Sequence, residues 1–267
     1  MAAVPHGDAI AANRLAWDAC APLHGQGPEW DALLRAAGQA GFCELDENLK
    51  RTLQDLNLQG LRAAQVGCNN GRELLSLASL GALPVRGIDQ SGAFLAQAQR
   101  LSQASGLHPR WLQADIHQLP ADVEPVDLVI ITIGVLNWMP DLHRFMAAVA
   151  RLMAPGARLV INETHPLLEM FDPDSATPFE PTLSYFDKGP YIFTQAITYD
   201  GSDGGQAPPA HWFVHTLGEV VNACAANGLQ VQRLTEHPDL NREAEYEVYT
   251  RRAAQLPLSY TLVAQLN

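Results

Sequence analysis

Positive charge is scarce in this chain, which has 17 Lys and Arg against 29 Asp and Glu in 267 residues, a formal net charge of -12. The basic residues form no stripe able to track a phosphate backbone, which argues against a nucleic-acid partner while leaving a local basic pocket open. Cysteine is also rare: Cys20, Cys43, Cys68 and Cys224 lie far apart with no Cys-x-x-Cys pair. Neither a metal site nor a disulfide framework is expected, and a reducing compartment fits best. No segment approaches the roughly 18 uninterrupted apolar residues of a membrane span. The N-terminal stretch lacks the basic start and apolar run of a signal peptide. Together these absences predict a cytoplasmic protein with no membrane partner.

What is present is a 47% hydrophobic chain, long enough for a substantial α/β core. Over 10–56 apolar residues recur at helical spacing, broken by Gly25, Gly27, Pro28 and Gly41, which predicts a helical cap. From Leu61 the period changes. The runs LRAAQVG, PVRGID, PRWLQAD, VDLVIITIG and ARLVINE read as strands, and RELLSLASL, 93–105 and 142–153 as helices. Such alternation predicts parallel pairing, with Pro155-Gly156 as a tight turn into the fifth strand. Periodicity fades over 165–216, where Pro, Gly, Asp and aromatics accumulate, and a stretch this long inside a compact chain usually carries function. A helix in LGEVVNACAANG, capped by Gly228, is followed by strands in LQVQRLTE and LSYTLVAQ, which form a closing antiparallel hairpin. The expected fold is α/β: a Rossmann-like doubly wound seven-stranded sheet with that hairpin. Its parts are a cap (1–58), a core (59–165), a substrate-side insertion (166–215) and the end of the core (216–267).

The most informative segment is 65–73, a glycine turn between a buried strand and a helix. Gly67 allows a sharp turn and close ligand approach, and Gly71 allows tight packing at the helix start. Asp89, 18 residues after Gly71 at the end of the second strand, suits the two hydroxyls of a ribose. Asp115 ends the third strand where it could accept from an adenine amino group, with Ile116 beside the ring. Each aspartate alone also fits a helix cap or turn. All three features at the ends of successive strands favour an adenosine site.

These motifs resemble the class I S-adenosylmethionine-dependent methyltransferases, in the bacterial branch with an Asn-x-x-x-Trp-Asp opening helix. The likeness runs from Asn13–Asp18 and His24 through VGCNNG, GIDQS, ADIHQLP, GVLNWMPDL, APGARLVINETHP, YFDKGP and HTLGEVVNACAANGL to LPLSYTLVA. It implies S-adenosyl-L-methionine as cofactor, with Gly67, Cys68, Asn69 and Gly71 at its methionine end. Asp89 and Gln90 would hold the ribose, Asp115 and Ile116 the adenine, and Ile133 and Gly134 the wall beneath the sulfonium. Gln65 departs from the family's usual acidic residue and adds no negative charge toward the cofactor's ammonium. The CNNG loop is also less glycine-rich than in many members.

Methyl transfer from a sulfonium is an in-line displacement that needs positioning and exclusion of water rather than a metal. A hydroxyl acceptor would need a base, for which histidine suits neutral pH. His165, His215 and Asn137 are the candidate catalytic residues, with helix capping or packing of the insertion as the alternatives for the two histidines. Trp138, Tyr185, Tyr191 and Trp212 are candidate acceptor contacts, or simply packing for a loop. The Asn-Trp-Met-Pro sequence is not the Asn-Pro-Pro-aromatic motif of enzymes that methylate nucleic-acid bases. The expected partner is a small-molecule methyl acceptor, methylated at oxygen or nitrogen, and a homodimer is left open. Two other readings remain: a non-catalytic cofactor-binding protein, and a nicotinamide-dependent oxidoreductase, which the missing third glycine and the closing hairpin disfavour.

Overall fold

The computed structural model describes residues 5–199, 203–240 and 244–267. Five parallel strands, β1 (Arg62–Val66), β2 (Leu83–Asp89), β3 (Arg110–Gln113), β4 (Val126–Ile131) and β5 (Met153–Thr164), form most of one sheet. Two antiparallel strands, β8 (Leu229–His237) and β9 (Ser259–Leu266), complete it in the order β3-β2-β1-β4-β5-β9-β8. The expected seven-stranded sheet is therefore present, with the last strand in sequence inserted between β5 and β8. Chain direction diverges between β1 and β4, and ligands of open α/β sheets bind at the carboxyl ends of the strands beside such a point.

The strands are apolar at both odd and even positions because both faces are covered. Ala64, Val66, Val129, Ile131, Leu159 and Ile161 share one buried cluster with Phe145 and Met146 of α6 (Leu142–Ala150) and Val220 and Ala223 of α7 (Leu217–Ala226). Ala63, Leu128, Ile130 and Val160 share a second with Leu49 and Leu53 of α3 (Glu47–Gln54) and Leu74 of α4 (Arg72–Ser76). Period-two alternation sends neighbouring residues to opposite layers, so a doubly covered sheet reads as a continuous apolar run.

The helical segment expected as one cap over 1–58 divides. α2 (Gly27–Ala37) packs Trp30 with Leu101 of α5 (Gly92–Ser105), whereas α3 belongs to the sheet's own covering layer. α1 (His6–His24) runs to the insertion, whose β6 (Tyr191–Gln195) and β7 (Gln206–Trp212) form a separate antiparallel pair. Buried Asn13 fixes this crossing: its Nδ2 donates to the His211 carbonyl at 2.9 Å and its Oδ1 accepts from the His211 N–H at 2.6 Å. Asp18, one turn on, accepts from the Ser91 hydroxyl at 2.7 Å at the start of α5.

Three local expectations need correcting. The helix over 142–153 ends at Ala150, and Met153 already pairs with Val126. The Pro155-Gly156 turn lies inside β5 as an irregularity, with Gly156 at φ 78 and a register shift against β4 between Val126 and Leu128. The helix expected over 72–80 is α4 followed by a 3-10 turn, Leu77–Leu80, stopped by Gly81.

If α3 is core rather than lid, Leu49→Ala will cost about 2–5 kcal/mol in urea unfolding. Leu15→Ala, at a position 50% exposed on α1, will change stability by less than about 0.5 kcal/mol.

Candidate functional site

The cavity at the carboxyl ends of β1, β2 and β4 has a volume of about 1140 Å³. That exceeds the roughly 300–1,000 Å³ typical of pockets for one small ligand, so a cofactor and an acceptor can fit together. Gly67, Asn69, Asp89, Gln90, Asp115, Ile116, Ile133 and Gly134 line it, together with Asn137, Trp138, Tyr191 and Trp212. The sequence candidates Cys68, Gly71, His165, Tyr185 and His215 are not in its wall.

The turn after β1 is shaped by close contact. Gly67 sits at φ 63, and a Cβ there would come 2.5 Å from a Val135 methyl; Gly71 sits at φ 77 with the Trp111 ring 2.2 Å from its would-be Cβ. Neither position tolerates a side chain, and the bare backbone of Gly67 forms part of the cavity wall. Cys68 is fully buried behind this turn, and burial pushes its thiol up. Gln65 is buried as well: its Nε2 donates to the Thr132 hydroxyl at 3.0 Å and its Oε1 accepts from the Leu74 N–H at 3.0 Å. It ties β1 to the end of β4 and to α4, and does not face the cavity.

Asp89 joins two loops. One carboxylate oxygen accepts from the Asn69 N–H at 2.7 Å, the other from the Ser91 N–H at 2.9 Å. Burial raises its pKa against the opposing effect of these N–H donors, and its side chain still borders the cavity. A carboxylate has about four acceptor sites, so beyond the Asn69, Ser91 and Gln90 N–H groups it keeps capacity for an incoming hydroxyl. Asp115 is a cap as well as a wall residue, accepting from the His117 N–H at 2.9 Å and contacting its ring Nδ1 at 2.8 Å. Burial works against its ionisation, but the His117 contacts prevail and lower its pKa. Gly134 is held by buried Glu163, which accepts from the N–H groups of Gly134 at 2.7 Å and Leu136 at 3.1 Å.

The histidines occupy supporting positions. His165 accepts from the Leu167 N–H on Nδ1 at 3.1 Å, so its proton lies on Nε2, 2.9 Å from Glu236. Both ring nitrogens are engaged, Nδ1 in capping the 3-10 turn Pro166–Met170 and Nε2 in tying that turn to Glu236 on β8. His215 contacts the Met139 carbonyl through Nε2 at 2.8 Å. Burial lowers the pKa of both, so both are neutral near pH 7. Asn137 lines the cavity while its Nδ2 donates to the Phe213 carbonyl at 3.0 Å, and the Tyr185 hydroxyl accepts from the Leu217 N–H at 3.1 Å. These contacts match the packing alternative for His215, which joins the insertion to the loop after β4.

Among the wall residues not picked out from the sequence is Glu169, on the turn that His165 caps. Its Oε2 accepts from Trp212 Nε1 at 3.2 Å. Burial pushes its pKa up to about 7, helped by nearby Glu245 and opposed by the Trp212 N–H. Its only sequence signal was a glutamate soon after the His-Pro pair, a weak one among 29 acidic residues. Tyr199 also lines the cavity, receives the Asn69 Nδ2 hydrogen bond at 2.8 Å, and has its ring 4.3 Å from that of His24.

Residues 64–161 match a family model described as a methyltransferase domain. Among curated proteins, the chain is 32% identical over 117 residues to the phthiotriol/phenolphthiotriol dimycocerosates methyltransferase of Mycobacterium leprae, covering 43% of this chain and 42% of the relative. It is 31% identical over 117 residues to a tRNA U34 carboxymethyltransferase of Pseudomonas putida, covering 43% and 36%. The chain thus spans less than half the length of either relative. Among solved structures, an S-adenosylmethionine-dependent methyltransferase from Mesorhizobium loti superposes with a TM-score of 0.59 at 20% identity, over 80% of this chain and 96% of the other. The fold is the Rossmann-like methyltransferase fold, and the resemblance read from the motifs stands.

The raised pKa of Glu169 carries a stability signature. Its folded value lies above its unfolded one, so its contribution is complete below about pH 4.5 and lost as pH rises through about 7. Glu169→Gln stays neutral and escapes that loss. In urea unfolding the variant will gain on the order of 2 kcal/mol over the parent between pH 5 and pH 8; an equal difference at both pH values would refute the buried-carboxylate assignment.

Proposed function

We propose that the chain, through the methyltransferase domain it carries over 64–161, is an S-adenosylmethionine-dependent methyltransferase acting on an oxygen or nitrogen of a small molecule. The observation that carries this reading is the convergence of Asp89, bare Gly67 and Gly134, and apolar Ile116 on one cavity beside the switch point of the sheet. This donor set suits an adenosine: a carboxylate with acceptor capacity left for a ribose hydroxyl, an apolar side chain for the ring, and exposed backbone where bulk must approach closely. When bound, the cofactor supplies an electrophilic methyl group on a sulfonium.

The chain's own part is to orient and to exclude water. Asp89 would hold the ribose through its hydroxyls, with Gln90 beside it. Asp115 and Ile116 would meet the adenine, and Ile133 and Gly134 would form the wall beneath the reacting centre. Trp138, Tyr191 and Trp212 would pack the acceptor, closing it off from solvent on the insertion side. For an acceptor that must lose a proton, a carboxylate in the wall is better placed than His165 or His215, whose ring contacts are structural.

A small acceptor is favoured over RNA by charge. Arg72, the one cation bordering the cavity among the described residues, is paired with Glu73 at 2.8 Å, while Glu169, Asp172, Asp174 and Glu245 also border it. A phosphate backbone would meet repulsion there.

Calorimetry tests the cofactor site. S-adenosylhomocysteine and S-adenosylmethionine will bind, a nicotinamide dinucleotide will not, and Asp89→Ala will weaken binding by at least about 30-fold, the loss of one charged hydrogen bond or more. Binding of the dinucleotide alone would refute the reading. Cofactor binding with no methyl transfer to any of a broad acceptor panel would favour the non-catalytic alternative.

A further inference from the structure

The amino-acid end of the proposed cofactor is a zwitterion, and an ammonium and a carboxylate carried into a protein need partners there. Gln65, at the end of β1, supplies neither. It is neutral, outside the cavity wall, and its amide is engaged by the Thr132 hydroxyl and the Leu74 N–H. The two residues that follow the glycine turn are different: Arg72 and Glu73 border the cavity, as Gly67 and Asn69 do. Arg72 Nε meets Glu73 Oε1 at 2.8 Å, and the two side chains are 30% and 15% exposed, so the pair is neither sealed in the core nor out in bulk solvent. That contact uses one N–H of the guanidinium and one oxygen of the carboxylate. Among the described residues, the two Nη groups of Arg72 and Oε2 of Glu73 have no hydrogen-bond partner.

Asn69 holds the pair in register with the ribose position. Its N–H donates to Asp89 at 2.7 Å, its Oδ1 accepts from the Asn70 N–H at 2.7 Å, and Asn70 Oδ1 accepts from the Arg72 N–H at 3.3 Å. An unbroken line of hydrogen bonds thus runs from the carboxylate proposed to hold the ribose to the backbone of Arg72. Tyr199 of the insertion reaches the same end of the cavity, where its hydroxyl accepts from Asn69 Nδ2 at 2.8 Å. Glu73 pushes the Arg72 guanidinium above its ordinary range against the opposing effect of burial, and Tyr199 adds to the push, so the phenol stands within electrostatic reach of the guanidinium.

We propose that the Arg72–Glu73 pair recognises the amino-acid end of the cofactor, Arg72 taking its carboxylate through the two Nη groups and Glu73 its ammonium through Oε2. This rests on the methyl-transfer reading above and deepens it. Two adjacent, opposite charges on the protein meet two adjacent, opposite charges on the ligand, an antiparallel arrangement in which each charge gains a second opposite neighbour. The planar fork of a guanidinium also matches a carboxylate in shape. Because the protein's pair is neutral overall, a ligand carrying the whole zwitterion brings no net charge out of water. One that lacks either group leaves a charge of the pair uncompensated in a site the ligand has partly closed. The pair therefore selects nucleosides whose 5′ substituent ends in an amino acid, and a nucleotide's phosphates would meet the negative charges of Glu73 and Asp89.

Calorimetry on the full chain tests this with four nucleosides: S-adenosylhomocysteine, its analogue without the α-amino group, its analogue without the α-carboxylate, and 5′-methylthioadenosine, which lacks both. The parent is expected to bind S-adenosylhomocysteine at least about tenfold more tightly than any of the other three, the loss of one charged hydrogen bond or more. Arg72→Met should weaken S-adenosylhomocysteine and the carboxylate-bearing analogue by at least about tenfold, and Glu73→Gln should do the same to S-adenosylhomocysteine and the amine-bearing analogue. Both variants should keep 5′-methylthioadenosine within about twofold of the parent. Loss of 5′-methylthioadenosine in step with S-adenosylhomocysteine would mean that the pair only shapes the loop, and unchanged S-adenosylhomocysteine affinity in both variants would mean that the tail lies elsewhere. Either result overturns the proposal and leaves the methyl-transfer reading standing. So does equal affinity of the parent for S-adenosylhomocysteine and 5′-methylthioadenosine, a result that depends on no variant's folding. A parent that binds none of the four overturns both.

Discussion

The carboxylate of Asp89 is the constraint on which the carboxyl edge of the sheet depends. Its two oxygens accept from backbone N–H groups on either side, Asn69 in the turn after β1 and Ser91 at the start of α5. Ser91 in turn donates to Asp18 on α1. One side chain therefore sets the relative positions of the glycine turn, the second strand-to-helix loop and the helix that closes the cavity from above. Burial makes this charge costly, and only the converging N–H groups make it tolerable. A group held in this way is already oriented before any ligand arrives, which spares the ordering cost of binding.

Around that fixed edge, the buried polar residues divide between scaffolding and the cavity. Gln65, Glu163, His165 and His215 spend their hydrogen bonds on backbone and side-chain partners that hold loops in register. A neutral buried histidine that both accepts and donates is an effective loop clamp, because its two nitrogens fix two directions at once. Gln65 does the same between β1, β4 and α4 without a charge, and so avoids the desolvation cost an acidic residue would carry at a position 1% exposed. Two acidic residues that border the cavity, Asp89 and Glu169, have pKa values that burial has raised, whereas the His117 contacts hold that of Asp115 below its usual value. Such perturbed groups in a cleft mark functional sites more often than structural ones.

Much of this was legible in the sequence, for local reasons. Apolar runs ending at Gly67, Asp89, Asp115 and Gly134 marked strand ends, and the carboxyl ends of parallel strands converge on one edge whatever the rest of the fold does. The alternation of periods predicted the parallel sheet, and the return of strand pattern after Gly228 predicted its antiparallel close. The Asn13 and Asp18 pair was visible as a motif, although its partners, His211 and Ser91, lie 198 and 73 residues away.

What the sequence by itself determined was the layering, the sheet and the glycine- and aspartate-lined side of the cavity, because these follow from short-range periodicity and from turns that only glycine or aspartate can serve. Tertiary structure alone decided the insertion side of the cavity. The insertion has no clear period, so nothing local shows that Trp212 folds back onto Glu169, 43 positions earlier in the chain. Nor does a histidine in sequence reveal whether its nitrogens are free: His165 was a natural candidate base until Leu167 and Glu236 were found to hold both. Hydrogen-bond saturation is a property of the packed neighbourhood, and it is this that moves attention from the histidine to the carboxylate four residues later.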